Sequence, residues 1–490
     1  MVRTNKPQFP DDRRIEMTAY MGPRRAGKRM FFGKYGENPR DPKEGYPSFF
    51  TDAVFELYKN AGFSFLMPEG DAYFGNVITP DGFVKESDFE KSDLYTYMKM
   101  AEKHGLDVYP AADEIFGRMT HEDGPFGEEE KAIVRNFVTT VQEYCPKSFK
   151  GIMLTDEPKH YAVGRMKKIV EYLYSDEIVA IKPDIKFFSS MLPMYASIEA
   201  FHPDYAHAEG KKVTFDEERE RAYQHYIDIC ADALGEFGMD YYALGRDGWL
   251  SPVFYRNLEM MAESGRQGNY PISVTLLSCH MDTKYEPKTG RGVTIFRAPS
   301  YEDMCWQVYS ALAFGVQSIG YFTFWQHYSE SQYEVFRKAM INYDPSSETG
   351  YRKTEIYDAV AEVNRQILAI DHIFLRYQWV GCKVVRISRD RNIRTVKGGY
   401  ESDSLKAVKA SRDALVGCFV NPEDQSEGYW LVNADNPYRY EMNDVEIVFE
   451  GATKLVYYRQ GKEYEASLEN GRFKIRLGVG EGIFMLPYQG

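Results

Sequence analysis

From about residue 28 to 372, short apolar, β-rich runs alternate with stretches whose apolar residues recur at helical spacing. That pattern predicts repeated β–α units around a parallel sheet. Eight strands are expected: RMFFGKYG (29–36), FSFLMPEG (63–70), LDVYPAADE (106–114), KGIMLTDE (150–157), IKFFSSMLP (185–193), MDYYALGRD (239–247), ISVTLLSCH (272–280) and SIGYFTFWQ (318–326). Between them lie helix-period segments such as FFTDAVFELYKNAG, SDLYTYMKMAEKHG and YEDMCWQVYSALAFG, which close on the Gly that a helix C-cap favours. Eight such units make an α/β fold of the (β/α)8 TIM-barrel type. Each predicted strand begins apolar and ends polar or aromatic, and in such a barrel the C-terminal strand ends form the active-site floor. Acids at those ends therefore face a pocket.

The texture changes after YDAVAEVNRQILAIDHIFL. From about residue 376, short alternating runs (KVVRIS, ALVGCFV, GYWLVNAD, DVEIVFEG, TKLVYYRQG, RFKIRLGVGEGIFMLPY) predict a small C-terminal antiparallel β-sandwich domain. The expected division is an N-terminal segment (1–27), the barrel (28–372) and the β-sandwich (376–490). A chain of 490 residues suits two or three domains.

Charge narrows the class of ligand. The chain carries 60 basic and 73 acidic residues, a net −13, which argues against nucleic acid or an anionic membrane as partner. A neutral or weakly polar ligand fits better. Aromatic residues (38 Tyr, 31 Phe, 5 Trp) make 15% of the chain, and sugar faces stack on such rings, although many of these rings simply fill a large core. Six cysteines (145, 230, 279, 305, 382 and 418) have no C-x-x-C spacing, so they are expected as buried, reduced thiols, with no disulfide and no metal. No H-E-x-x-H, P-loop or dinucleotide fingerprint points to a cofactor. No apolar run has signal-peptide or membrane-spanning length, so a cytoplasmic protein is the expectation.

The sharpest local signal is FKGIMLTDEPKHY, where Asp156 and Glu157 end an apolar run. Cleavage of a glycosidic bond needs a carboxylic acid to protonate the leaving oxygen. Glu157 is the candidate, with desolvation by the preceding strand and the like charge of Asp156 raising its proton affinity. Pro158 excludes Glu157 from the right-handed α region and fixes a turn there. The same tripeptide can instead begin a helix, with the acids at its N-terminus. Further acids at predicted strand ends are Glu69, Asp71, Asp113, Glu114 and Asp247, expected to hold sugar hydroxyls, with at most one of them serving as a second catalytic carboxylate. By period-two alternation Tyr321, Thr323 and Trp325 share one side of the eighth strand, read as the barrel interior, with Trp325 as the floor of a sugar subsite and Trp249 as a second wall. His280 is a candidate hydroxyl ligand; Cys279 beside it lacks the partners of a nucleophile.

LTDEP, ALAFGVQSIGYFTFW and the closing GVGEGIFML resemble TIM-barrel glycoside hydrolases, over nearly the whole chain. Within the clan of retaining β-galactosidases and cellulases, the resemblance implies Glu157 as acid/base and a seventh-strand Glu as nucleophile. ISVTLLSCHMD has no Glu, and its first carboxylate is Asp282. The Asp-Glu pair is also similar to that of N-acetylhexosaminidases, which implies that Asp156 orients a substrate acetamido group that attacks the sugar carbon. A third reading is a sugar-binding barrel without catalysis. On the leading reading the partner is a short oligosaccharide or glycoside, cleaved in exo fashion. A homo-oligomer is the state that the resemblance suggests.

Overall fold

The computed structural model describes residues 2–23, 51–68, 78–79, 81–111, 115–116, 119, 126–205, 217–286, 291–329, 334–344 and 346–490. Eight parallel strands form its centre: β1 (Glu16–Ala19), β2 (Phe65–Leu66), β3 (Asp107–Val108), β4 (Gly151–Asp156), β5 (Lys186–Ser190), β6 (Phe237–Tyr241), β7 (Ile272–Leu277) and β10 (Ser318–Phe322). One sheet has the order β1-β10-β7-β6, while β2 pairs with β3 and β4 with β5. Single parallel bridges continue the series, Val108 to Phe149 and Ala111 to Met153 between β3 and β4, and Met191 to Met239 between β5 and β6. One backbone hydrogen bond, Ser64 N to Met17 O at 2.8 Å, joins β1 to the approach of β2. The arrangement is TIM-barrel-like.

The first strand is a correction. The expected one, residues 29–36, lies outside the described residues, and the strand beside β10 is Glu16–Ala19, in the stretch read as an N-terminal segment. Four residues, EMTA, are too few to show a period. Their pairing comes from tertiary contact, with Met17 and Ala19 fully buried.

Helices between the strands obey local rules. Asp93–His104 begins at Ser92, whose Oγ accepts from Tyr95 N at 3.0 Å, and stops at Gly105 with φ +62°. Tyr301–Ala313 begins with a reciprocal Ser300/Asp303 capping box. Among the described residues no helix is long and apolar enough to cross a membrane.

Chain segments following β7 and β10 leave the parallel strands and form an antiparallel sheet that the sequence did not suggest. It has the order β11-β12-β8-β9, from β8 (His280–Glu286), β9 (Arg291–Phe296), β11 (His327–Ser329) and β12 (Glu334–Lys338). A hairpin of β13 (Ile341–Tyr343) and β14 (Tyr351–Lys353) follows.

The C-terminal part is two antiparallel sheets. Six strands, β15 (Gln378–Val385), β17 (Ala414–Val420), β18 (Glu427–Asn433), β23 (Gly482–Tyr488), β20 (Lys454–Arg459) and β21 (Lys462–Ser467), face three, β16 (Leu405–Ala410), β19 (Asn443–Phe449) and β22 (Arg472–Leu477). Val416, Leu431 and Met485 from one sheet and Ile447, Phe449 and Leu477 from the other build the core between them. The outer face of the larger sheet packs on the Tyr301–Ala313 helix, with Trp430 at 5.7 Å from Tyr309. Gly417 permits this approach, since a Cβ there would stand 1.9 Å from Ala313 O.

Candidate active site

Strand β4 is buried from Gly151 to Thr155 and emerges at Asp156 and Glu157. Glu157 has φ +47°, a left-handed conformation uncommon for a side-chain-bearing residue. Pro158 disfavours the right-handed alternative, and Glu157 N–H is fixed by Ser190 O of β5 at 2.8 Å. The turn brings the Glu157 carboxyl to Asp240 of β6, close enough for the two groups to shift each other. On β6, Tyr241 points to the helix layer, with its hydroxyl 2.6 Å from Ser251 Oγ and its ring 5.1 Å from Phe254. Alternation therefore turns Asp240 and Tyr242 to the other face, the interior.

Two carboxyls in contact cannot both be ionised without large repulsion. Burial raises Asp240 well above the carboxylate range, and the charges of Glu157 and Asp156 add to that; a hydrogen bond from Tyr242 opposes it only in part. Asp240 is 6% exposed, and its Oδ1 has no hydrogen-bond partner. Glu157 is raised too, again by desolvation first, against the lowering hydrogen bond with Asp240. Glu157 as a whole is an exposed residue, whereas Asp240 is buried. Both carboxyls are raised and coupled, so the pair titrates as a unit. Beside burial, the side chain that shifts Glu157 is Asp240, which lowers it.

An aromatic ring wall surrounds the pair. Tyr20, just beyond β1, donates its hydroxyl to Asp156 Oδ1 at 3.4 Å and packs 6.0 Å from Phe322. Phe322 meets Tyr242 at 5.3 Å and Phe336 of the inserted sheet at 4.9 Å. Phe296 lies 5.8 Å from Tyr242, so the inserted sheet closes one side of the site. Tyr195, after β5, stacks edge-on against Tyr241 at 5.0 Å and is 38% exposed.

The other expected site residues divide. Glu69, Asp71, Asp113 and Glu114 lie outside the described residues. Asp247 is on the surface with its side chain 90% exposed, 3.7 Å from Arg246. Trp249 is 55% exposed on the same loop. Tyr321 is a correction: it points away from the interior and donates to Asn364 at 2.7 Å in the helix layer, and its neighbour Phe322 takes the inward place. Trp325 is also corrected. It is 0% exposed, covered by Tyr351 at 5.8 Å and bridged to Ile341, so chain beyond the strand occupies the face offered to a sugar.

His280 leads into the inserted sheet, with Nε2 2.7 Å from Asp282 Oδ1. Asp282, 3% exposed, also accepts from Thr294 Oγ1 at 2.8 Å and pairs with Arg337 at 2.6 Å. The first carboxylate after β7 is therefore committed to structure. All six cysteines are buried and unpaired, and burial pushes the Cys279 thiol up, away from reactivity. A cavity of about 550 Å³ opens at the opposite, N-terminal strand ends, beside Glu16, Lys186, Glu236 and Ser318, away from the acid pair.

Sequence reasoning missed Asp240 and Tyr242. The available signal was a lone acid inside the apolar run FGMDYYAL, since Asp is almost never buried without a reason.

No protein-family model matches the chain, and no curated protein matches it. Among solved structures, it is similar to a protein titled glycoside hydrolase, at 12% identity over 97% of this chain and 93% of the other, with a TM-score of 0.48. It is similar to a glycoside hydrolase family 5 protein from Bacteroides vulgatus, at 9% identity over 97% and 89%, with a TM-score of 0.49. It is also similar to an Anoxybacillus alpha-amylase, at 11% identity over 97% and 98%, with a TM-score of 0.48.

Proposed function

We propose that this chain is a glycoside hydrolase, built on a closed (β/α)8 barrel from β1 to about residue 372 with residues 376–490 as a C-terminal β-domain, and that Glu157 is its general acid. The observation that carries the reading is the approach of Glu157 to Asp240 at the C-terminal ends of β4 and β6, two carboxyls whose proton affinity burial raises. Glu157 passes its proton to the glycosidic oxygen as the C–O bond to the anomeric carbon breaks, and water then adds its oxygen to that carbon and loses a proton back to the carboxyl pair. Burial raises the affinity of Glu157 for that proton, and Asp240 lowers it in part. Tyr242, Phe322 and Tyr20 exclude water around the developing charge. The substrate is a glycoside cleaved in exo fashion.

A second reading is substrate-assisted cleavage of 2-acetamido sugars, with Asp156 orienting the acetamido group. The tied-up state of Asp282 favours it, because that carboxylate is not available as a nucleophile.

The test is a panel of aryl glycosides, plain and 2-acetamido, with the wild type and Glu157→Gln. Turnover on poor leaving groups is expected to fall by roughly a hundredfold or more, the usual contribution of acid catalysis, and by less on activated ones. Loss on Asp156→Asn confined to 2-acetamido substrates selects the second reading. Wild-type turnover by Glu157→Gln on every substrate cleaved refutes the assignment, and a wild type inert on the whole panel selects a sugar-binding barrel.

A further inference from the structure

Few large hydrophobic side chains are exposed among the described residues, and Trp249, Tyr438, Tyr440 and Met442 are four of them, at 55, 52, 64 and 45%. They come from two loops distant in sequence. The first follows β6, the strand that carries Asp240; the second joins β18 to β19 in the C-terminal sheets. Asn436 Nδ2 donates to Gly248 O at 2.8 Å and ties the loops together. Gly248 has φ +74°, and the Tyr438 ring lies so close above it that a Cβ would stand 2.2 Å from that ring. Trp249 packs its ring on Gly245 in the same way, with three ring atoms within 3.2 Å of where a Cβ would be. One face of the indole is thus seated on backbone and the other is turned to solvent.

The chain continues inward from this seam. Gly245 is bridged to Phe296, and Phe296 packs against Tyr242 beside the acid pair. Around the rings stand Arg246, Asp247 and Arg439, with side chains 62, 90 and 44% exposed. Separate flat aromatic faces interleaved with exposed guanidinium and carboxylate groups suit a polyhydroxylated ligand, whose C–H faces stack while its hydroxyls bond. A protein partner or a second copy needs a contiguous apolar centre depleted of charge, which these interleaved charges interrupt.

We propose that this seam between the parallel-strand region and the C-terminal sheets binds the sugar units of a polysaccharide chain whose end reaches Glu157. The proposal rests on the glycosidase reading for the direction of the chain, and it makes the natural substrate longer than a simple glycoside. The experiment is affinity electrophoresis in gels containing soluble arabinoxylan, hydroxyethylcellulose, galactan or starch, with the wild type, Tyr440→Ala, Tyr438→Ala and Tyr440→Phe. The wild type is expected to be retarded by at least one polymer. Each Ala variant should weaken that retardation by about fivefold to tenfold, the scale of one lost aromatic contact, and Tyr440→Phe should keep it. kcat/KM on a small aryl glycoside should be unchanged in Tyr440→Ala, which also serves as the check on folding. No retardation by any polymer, or equal retardation of the Ala variants, overturns the proposal. So does a wild-type dimer in sedimentation that Tyr440→Ala dissociates, which assigns the patch to a second copy. Ring-dependent retardation by a wild type inert on all glycosides sustains the seam and sinks the catalytic reading instead.

Discussion

The two ends of the same parallel strands carry acids in different company. At the N-terminal ends Glu16 pairs with Lys186 at 2.9 Å, both half exposed; burial and the Glu16 charge push Glu236 up to about 7, and Lys186 offsets part of that. Asp107 there is raised by burial and by Glu16 but lowered by Lys150, Lys186 and Lys182. At the C-terminal ends the leading influences on Asp240 are burial and two further carboxylates, and those on Glu157 are burial and Asp240. A buried acid with a cation is ordinary structure. Acids close together with no cation among their leading partners cost stability and cluster at functional sites, so on the proposed reading the comparison sets a supporting end against a reacting end.

The strongest way to sharpen that contrast is the pair of substitutions Glu157→Gln and Asp240→Asn, singly and together. Each single change is expected to lower turnover on unactivated glycosides, with Glu157→Gln losing roughly a hundredfold. The double variant should lose little more than Glu157→Gln alone, because groups acting as a unit are not additive. Multiplying losses would break the comparison by making Asp240 an independent contributor.

A smaller effect concerns stability. The folded-state pKa of Asp240 lies above its unfolded value, so the folded state binds more protons. Stability is then fully present below the unfolded carboxyl range and is lost as pH rises toward the raised folded value. Asp240→Asn should remove that loss, raising stability at neutral pH by about 1 kcal/mol and changing it little in acid. Thermal melts across pH check this, and an equal loss of Tm at both pH values would contradict it. Smallest is Glu16→Gln at the supporting end. It removes a half-exposed ion pair, costs about 0.5 kcal/mol, and leaves turnover unchanged. A kinetic defect there would erase the distinction between the ends.

Strands β2 to β7 and β10 all fall within or beside the runs that the sequence suggested, because strands covered on both faces read as short continuous apolar stretches. The same double burial hid the facing of β10. With Ile319, Tyr321, Phe324 and Trp325 all at 0% exposure, no polar side marks the exterior, and the inward place of Phe322 is visible only from its neighbours. Strand β1 was too short to read. The inserted sheet was missed because HMDTKYE mixes polar and apolar residues, and its pairing with β12 joins residues far apart in the chain. Asp156 and Glu157 were legible from the end of an apolar run. Their partner Asp240 was not, since a contact between β4 and β6 depends on how the strands are arranged in space.

The central claim is that burial at the strand ends raises the proton affinity of Glu157 against the lowering influence of Asp240, its neighbour on β6. The pH dependence of kcat/KM on an unactivated aryl glycoside, wild type against Asp240→Leu, tests it most directly. Asp240→Leu removes the lowering partner and keeps the site apolar, so the basic limb should move to higher pH in Asp240→Leu than in the wild type. A basic limb at the same pH in both proteins would mean that Asp240 does not tune the acid, and would contradict the account.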